Sequence, residues 1–286
     1  MQAIKRILVV IDPTLDNQLA LKRARLIAGV IEAELHLLVC EDRQDHMPAL
    51  QKMVSELQAE GLKASCSQSW HKSLTDTIVM AAQSQGSGLV IKQHLPDNAL
   101  KKALLTPDDW KLLRYCPTPV LLVKTEGSWM KGAVLAAVDL GNHDDQHHIL
   151  HDTIVSHAAD LTEMINGDLH LVSAHPAPML SASDPTYQLR ENIHARYVEE
   201  ADKYLNLYKL GTDRLHIDEG PADSLIPSVA KKTGACVTVI GTVARKGISG
   251  ALIGNTAEVI LDQLDSDIVV LKPDDMIAHL EDLLEK

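Results

Sequence analysis

The sequence has 286 residues, enough for two domains of ordinary size. Its formal net charge of −12 argues against binding to nucleic-acid phosphates, and no basic stripe with interleaved aromatics offsets it. No apolar run approaches the roughly 18 residues a membrane span needs. The apolar run Ile7–Ile11 is too short for a secretory signal, so a cytoplasmic protein is expected. Aromatic residues make up only 3% of the chain and Phe is missing altogether, so its cores must be aliphatic. Cys40, Cys66, Cys116 and Cys236 show no CxxC spacing, the pattern of reduced cytosolic cysteines.

In chain order, short apolar runs alternate with longer amphipathic stretches. The first half offers strands at Ile7–Ile11, Leu35–Cys40, Leu89–Ile91 and Val120–Val123, with a weaker, more polar one near Ala64–Trp70. Helical periodicity covers Leu15–Ile31, where Leu19, Arg23, Leu26, Ile27, Val30 and Ile31 share a face, and Leu74–Gln83. The second half offers strands at Val134–Leu140, Leu169–Ala174, Leu215–Asp218, Val237–Gly241 and Ile268–Leu271. Its helices are expected at Gln146–Met164, Leu189–Leu207, Ser224–Lys232 and Asn255–Leu264. Strands alternating with helices of this length imply right-handed βαβ crossovers and parallel sheets.

The two halves overlay. RILVVID ending at Asp12 answers AVLAAVD ending at Asp139, GLVIK (Gly88–Lys92) answers VTVIG (Val237–Gly241), and TPVLLVK answers SDIVVLK. The offset grows from 127 to 148 residues, so an insertion of about 20 residues is expected in the second half, around Ala177–Asn192. The expected fold is α/β: two doubly wound, mainly parallel five-stranded domains in tandem, over residues 1–124 and 133–273. Residues 125–132 form the linker and 274–286 a tail, in which Ile277, Leu280, Leu283 and Leu284 share a helix face. The two domains are expected to pack as an intramolecular pseudo-dimer, with further homodimerisation left open.

In an open parallel sheet, ligands bind beyond the carboxyl ends of the strands. Asp12-Pro13, Asp139, His175-Pro176, Lys92–His94 and the loop after Gly241 lie at such ends. That loop, GTVARKGISGALIGNTAEVIL, carries Gly241, Gly247, Gly250 and Gly254 and enters a helix through Asn255 and Thr256. Glycines let a backbone approach a phosphate, and a helix N-terminus attracts anions. A merely flexible, glycine-rich connection fits the same spacing.

The stretch resembles the nucleotide loop of the universal stress protein family, G-x2-G-x9-G-[ST]. Its positions fall at Gly241, Ala244, Gly254 and Asn255, so two of four match; Thr256 follows with the hydroxyl. IDPTLDN, LLTPDDWKLLRYCPTPVLLVK and GTVARKGISGALIGNTAEVILDQLDSDIVVLKPD extend the resemblance, to tandem members of that family, over nearly the whole chain. It implies an adenine nucleotide such as ATP in the second half only, with Asp139 against the nucleoside and Ser173–His175 bordering the base. It also implies a role in surviving stress such as DNA damage, starvation or oxygen limitation.

The first half has no glycine between Lys92 and Trp110, and its nucleotide site is expected to be lost. Thr106 and Pro107 should cap and open the next helix, while Lys92, His94, Lys101 and Lys102 read as a solvated face. Ten of the fourteen histidines follow residue 132, and His143, His147 and His151 would share a helix face. Such spacing suits a metal, but HExxH and CxxC are both missing, and no metal is expected. No GxSxG elbow or P-loop appears either, so a non-enzymatic ligand sensor or sequestering protein is expected. A slow ATP hydrolase and a carrier of an apolar molecule are the rival readings.

Overall fold

The computed structural model of the protein describes residues 1–95, 105–142, 144–242 and 255–284. In the first half β1 (Arg6–Ile11), β2 (Glu34–Val39), β3 (Ala64–Gln68), β4 (Leu89–Gln93) and β5 (Val120–Val123) alternate with α1 (Leu19–Ile31), α2 (Met47–Ala59), α3 (Leu74–Gln85) and α4 (Pro107–Tyr115). The second half runs through β6 (Ala133–Ala137), α5 (Asp145–Ile165), β7 (Asp168–His175), α6 (Arg190–Tyr208), β8 (Leu215–Glu219), α7 (Ala222–Thr233), β9 (Ala235–Gly241), α8 (Asn255–Gln263) and β10 (Asp267–Leu271). A last helix, α9 (Asp274–Leu284), buries Met276 and Leu280.

These strands form one sheet in the order β3-β2-β1-β4-β5-β10-β9-β6-β7-β8. Within each half the pairings are parallel, and the halves join through an antiparallel pair, β5 with β10, in which Ile268 faces Leu122 and Val270 faces Val120. Period-two alternation sends Ile7 and Val9 to one face and Leu8 and Val10 to the other. The first layer packs α1, α2, α5 and α6, and the second packs α3, α4, α7 and α8. Both layers run through the junction without a break. Alone, each half would expose a fully buried-type edge, VLLV or DIVVL, and such an edge invites aggregation.

The pairings correct three details of the sequence reading. Ile7 pairs with Leu89, and Val134 with Val237; Lys92 pairs with Leu122, and Ile240 with Val270. Gly241 therefore corresponds to Gln93, and Lys92 to Ile240, one residue away from the overlay of GLVIK on VTVIG. A slip of one residue exchanges the two faces of a strand, so the correction changes which layer Lys92 enters. The extra length is spread out as well: α5 has 21 residues against 13 in α1, and α6 has 19 against 13 in α2. In α1, Arg23 is buried as its face predicts, but Val30 is 55% exposed.

The linker wraps around one carboxylate. Asp267, fully buried, accepts from Arg23 Nε (2.9 Å) and Trp129 Nε1 (2.7 Å) at Oδ2. Its Oδ1 accepts from the backbone N–H groups of Lys124 and Thr125, both at 2.8 Å. Arg23 also donates to Thr125 O and Gly127 O and lies 4.6 Å from the Trp129 ring centroid. A buried carboxylate is tolerable only with such a full set of donors. Replacing Asp267 with Ala strands Arg23 and the linker N–H groups, and should cost about 3–5 kcal/mol. Equilibrium urea unfolding should show this as a lowered midpoint, whereas the exposed neighbour Asp265→Ala should stay within about 0.5 kcal/mol of the parent. Equal losses at the two positions would refute the assignment.

Candidate functional site

Strand order reverses between β6 and β9, and the chain leaves both strands at the same end of the sheet. There, a cleft of about 480 Å³ is lined by Asp139, His147, His151, His175, Tyr197 and Gly241. Aliphatic side chains complete its walls, among them Leu150 and Ile154 of α5, Ile226 of α7 and Ile260 of α8. Asp139, His175 and Gly241 are thus brought together as expected from their strand ends. Asn255 and Thr256 are the first residues of α8, which also borders the cleft through Ala257. Ala244 and Gly254 lie outside the described residues, as do Gly247, Gly250, Lys101 and Lys102.

Asp139 is exposed at the mouth of the cleft. Its backbone N–H donates to His151 Nε2 at 3.3 Å, which fixes the proton of the uncharged ring on Nδ1. Burial, reinforced by the neighbouring His147 and His148, lowers the His151 pKa to about 4. Leu140 N donates to the buried Ser173 Oγ, tying the β6 exit to β7. Tyr197 closes one side. A Cβ on Gly141 would fall 2.0 Å from its hydroxyl, so only glycine fits there. Burial, with the Asp139 charge next, pushes the Tyr197 pKa up to about 12 and keeps the phenol protonated. Sequence reasoning missed Tyr197, although Ile193, Tyr197, Ala201 and Tyr204 are spaced as one buried face of α6.

His175 is 1% exposed. Its Nδ1 donates to Pro176 O at 3.0 Å, while its Nε2 is buried with no hydrogen-bond partner among the described residues. A Cβ on Gly241 would meet Leu150 Cδ2 at 2.7 Å and Ile154 Cδ1 at 2.9 Å, so a side chain there would push these two residues of α5 aside. In the expected histidine row, His143 lies outside the described residues. His147 Nδ1 stands 2.8 Å from Asp144 Oδ2, and its ring centroid is 6.1 Å from that of His151. Among the described residues, no group of three or more His, Cys, Asp or Glu is arranged to hold a metal ion.

The corresponding place in the first half holds a smaller cavity of about 240 Å³, lined by Asp12, Cys40, Glu41, Leu74, Lys92 and Gln93. Lys92 and His94 do not form the solvated face expected of them. They are 7% and 5% exposed, and both bind Asp109, at 2.7 Å each. Burial alone would raise the Asp109 pKa, but hydrogen bonds from His94, Lys92 and Thr106 and the Lys92 charge hold it well below the usual carboxylate range. Thr106 and Asp109 also form the reciprocal cap that starts α4, with Pro107 in the first turn. Gln93, standing where Gly241 is in the second half, accepts from Leu19 N and caps α1.

Fold and cleft together define a tandem pair of doubly wound α/β domains sharing one sheet, with a cleft at the switch point of the second. The sequence model of the universal stress protein family matches residues 3–124 and again residues 133–272. Universal stress protein E of Escherichia coli K12 is 30% identical, the match covering 97% of this chain and 96% of that one. Its homolog in Haemophilus influenzae is 28% identical, over 94% and 97% of the two chains. A crystal structure from Pseudomonas aeruginosa UCBPP-PA14, of a protein proposed to be a universal stress protein, has 56% identity and a TM-score of 0.92, covering 100% and 99% of the chains. A universal stress protein from Archaeoglobus fulgidus shares the fold at 14% identity, with a TM-score of 0.63 over 94% and 98%. The chain belongs to the universal stress protein family, and its role is in the stress response. Among the described residues no helix is long and apolar enough to cross a membrane.

The buried His151 makes a pH prediction. Its unfolded pKa is about 6.5, and its folded pKa is lowered to about 4. Between those values the unfolded chain binds the proton that the folded chain refuses. Stability should therefore be complete above pH 6.5 and decline as the pH falls toward 4. His36, His157, His170 and His216 are also shifted downward by burial and act in the same sense. Urea midpoints measured between pH 7 and pH 4.5 should fall, and His151→Gln should make the decline shallower by about one proton. An unchanged slope in that variant would remove His151 from the account.

Proposed function

We propose that the second half binds an adenine nucleotide in the cleft between β6, β7 and β9, and that the protein acts in the cytoplasm by sensing or sequestering it. The observation that carries this reading is the contrast between equivalent positions in the halves. The first half fills the space with the Lys92–Asp109–His94 network and Gln93. The second half has Ile240, Ala257 and Gly241 there, with the larger cleft. Its flat aliphatic walls suit a purine ring, Asp139 at the mouth suits ribose hydroxyls, and the start of α8 at Asn255 offers N–H groups to phosphate.

Native mass spectrometry of the purified full chain should find ATP, ADP or AMP. Calorimetry with ATP should give one site per chain, weakened at least about tenfold by Asp139→Asn and unchanged by Asp12→Asn. Co-purified lipid without nucleotide would favour an apolar carrier; loss of binding on Asp12→Asn alone would move the site to the first half.

Turnover is expected to be no more than trace. Phosphoryl transfer needs its developing charge neutralised and its water positioned. Arg245 and Lys246 follow Gly241 in the chain; of the described residues lining the cleft, His151 is committed to Asp139 N and Tyr197 stays protonated, so neither serves as a base. Single-turnover phosphate release with magnesium or manganese should stay far below about 1 per second. A rate in that range, abolished by Asp139→Asn, would establish an ATP hydrolase instead.

A further inference from the structure

His170 on β7 and His216 on β8 meet end to end. His170 Nδ1 lies 3.0 Å from His216 Nε2, the ring planes are tilted by 19° and the centroids are 5.3 Å apart. That separation is what the contact and the two ring radii add up to, so one N–H···N bond runs straight along the line between the rings. Both rings are half-buried on the outermost strand pair of the second half. The first half builds the same place with a single titratable ring. Strand pairing makes His36 the counterpart of His170, and Ser67 the counterpart of His216. His36 bonds Ser65 Oγ at 2.9 Å and Ser67 Oγ at 2.8 Å. A hydroxyl both donates and accepts, so a protonated His36 keeps its bonds.

The count of protons decides what the histidine pair can do. Uncharged, it carries one proton in the bond and one facing outward. A third goes to the outer nitrogen of the donor ring, and the bond survives, strengthened by the charge. A fourth sets N–H against N–H and cation against cation, and no bond remains. We propose that the pair is a proton-operated latch on the edge strand β8, closed with none or one added proton and opened by two. β8 leads through Gly220 into α7, and Gly220, Ala222 and Ile226 line the cleft, so opening the latch loosens one cleft wall. Burial resists added protons at both rings, helped by Arg214 from the turn before β8 and by Lys232 of α7. Asp168, Asp213 and Asp218 pull the other way, but Asp168 is paired with Arg214 at 2.6 Å and Asp218 lies 3.7 Å from Arg190 of α6. Both rings therefore titrate below the ordinary histidine range, and the latch is closed at neutral pH and opens as the pH falls.

Nitrogen-15 spectra of the histidines in the full chain should resolve two protonation steps shared by His170 and His216. Residue-by-residue amide exchange should find residues 215–220 protected through the first step and opening at least about tenfold more readily beyond the second. The opposite edge strand, β3, is the internal control and should stay protected over that range. His216→Ser, which copies the first half, should leave His170 with a single step and keep β8 protected throughout. Independent single steps for the two histidines, β8 opening at the first step or staying protected beyond the second, equal opening of β3 and β8, or opening that persists in His216→Ser would each overturn the latch. The shared titration and the comparison of β8 with β3 are read on the wild type, so the test stands even if the variant fails to fold.

Discussion

The carboxylate of Asp267 holds the two halves and their linker in one arrangement. It sits at the first residue of β10, where the second half meets β5 of the first, and its donors come from α1, the end of β5 and the linker. The duplication offers two equivalent places for such a residue. At the other, the chain has Pro119, which has neither a carboxylate nor a backbone N–H. Two copies of a domain need one linker, so a single carboxylate suffices, and the repeat is broken where its symmetry would serve no purpose. Lys124 adds to the junction from the first half, reaching the carbonyl oxygens of Leu261 and Leu264 at the end of α8. Burial lowers its pKa to about 8, against the pull of Asp265 and Asp262.

The two halves differ at their sites through substitutions that only make sense together. Lys92 and Asp109 in the first half stand where Ile240 and Ala257 stand in the second. A lone lysine in that layer would be a buried charge without a partner, and a lone aspartate would be worse; either change alone is costly. With both charges present the space is filled by an ion pair, and with both absent it becomes the aliphatic wall of a cleft. Gln93 in place of Gly241 works in the same direction, since its side chain occupies volume to cap α1. The missing glycines are thus only part of the difference between the halves. Side chains also fill the corresponding space in the first half.

Much of this was legible beforehand because the physics was local. Aliphatic runs such as LVVI and LVSA report buried strands, and TPDD reports a helix start, whatever the surroundings. The convergence of Asp139, His175 and Gly241 followed from strand ends alone, since parallel topology gathers those ends on one edge. What escaped was tertiary. Lys92 looked solvated because its partner Asp109 lies 17 residues on, across the start of α4. The overlay of the halves slipped by one residue because KQH and IGT give no periodic signal at a strand end, and only the pairing with β5 and β10 fixes it. Tyr197 was missed as a site residue because it lies on a helix, where burial alone accounts for an aromatic side chain, and His151 was weighed only as part of a histidine row with metal-like spacing.

A first half with a plugged site still has work in the fold, and α8 shows what it is. The N-terminal end of this helix borders the cleft through Ala257 and Ile260. Its remaining length is gripped from the first half: Arg114 reaches Glu258, Leu105 N donates to Asp262 Oδ1 at 2.9 Å, and Lys124 takes the carbonyls of the last turn. A helix that lines a cleft sets the cleft's shape, so these contacts hold its wall in place. In the second half alone, those three contacts would be gone and β10 would be an unpaired edge. The first half therefore acts as scaffold for the helix that borders the cleft, through β5 and the contacts of Leu105, Arg114 and Lys124.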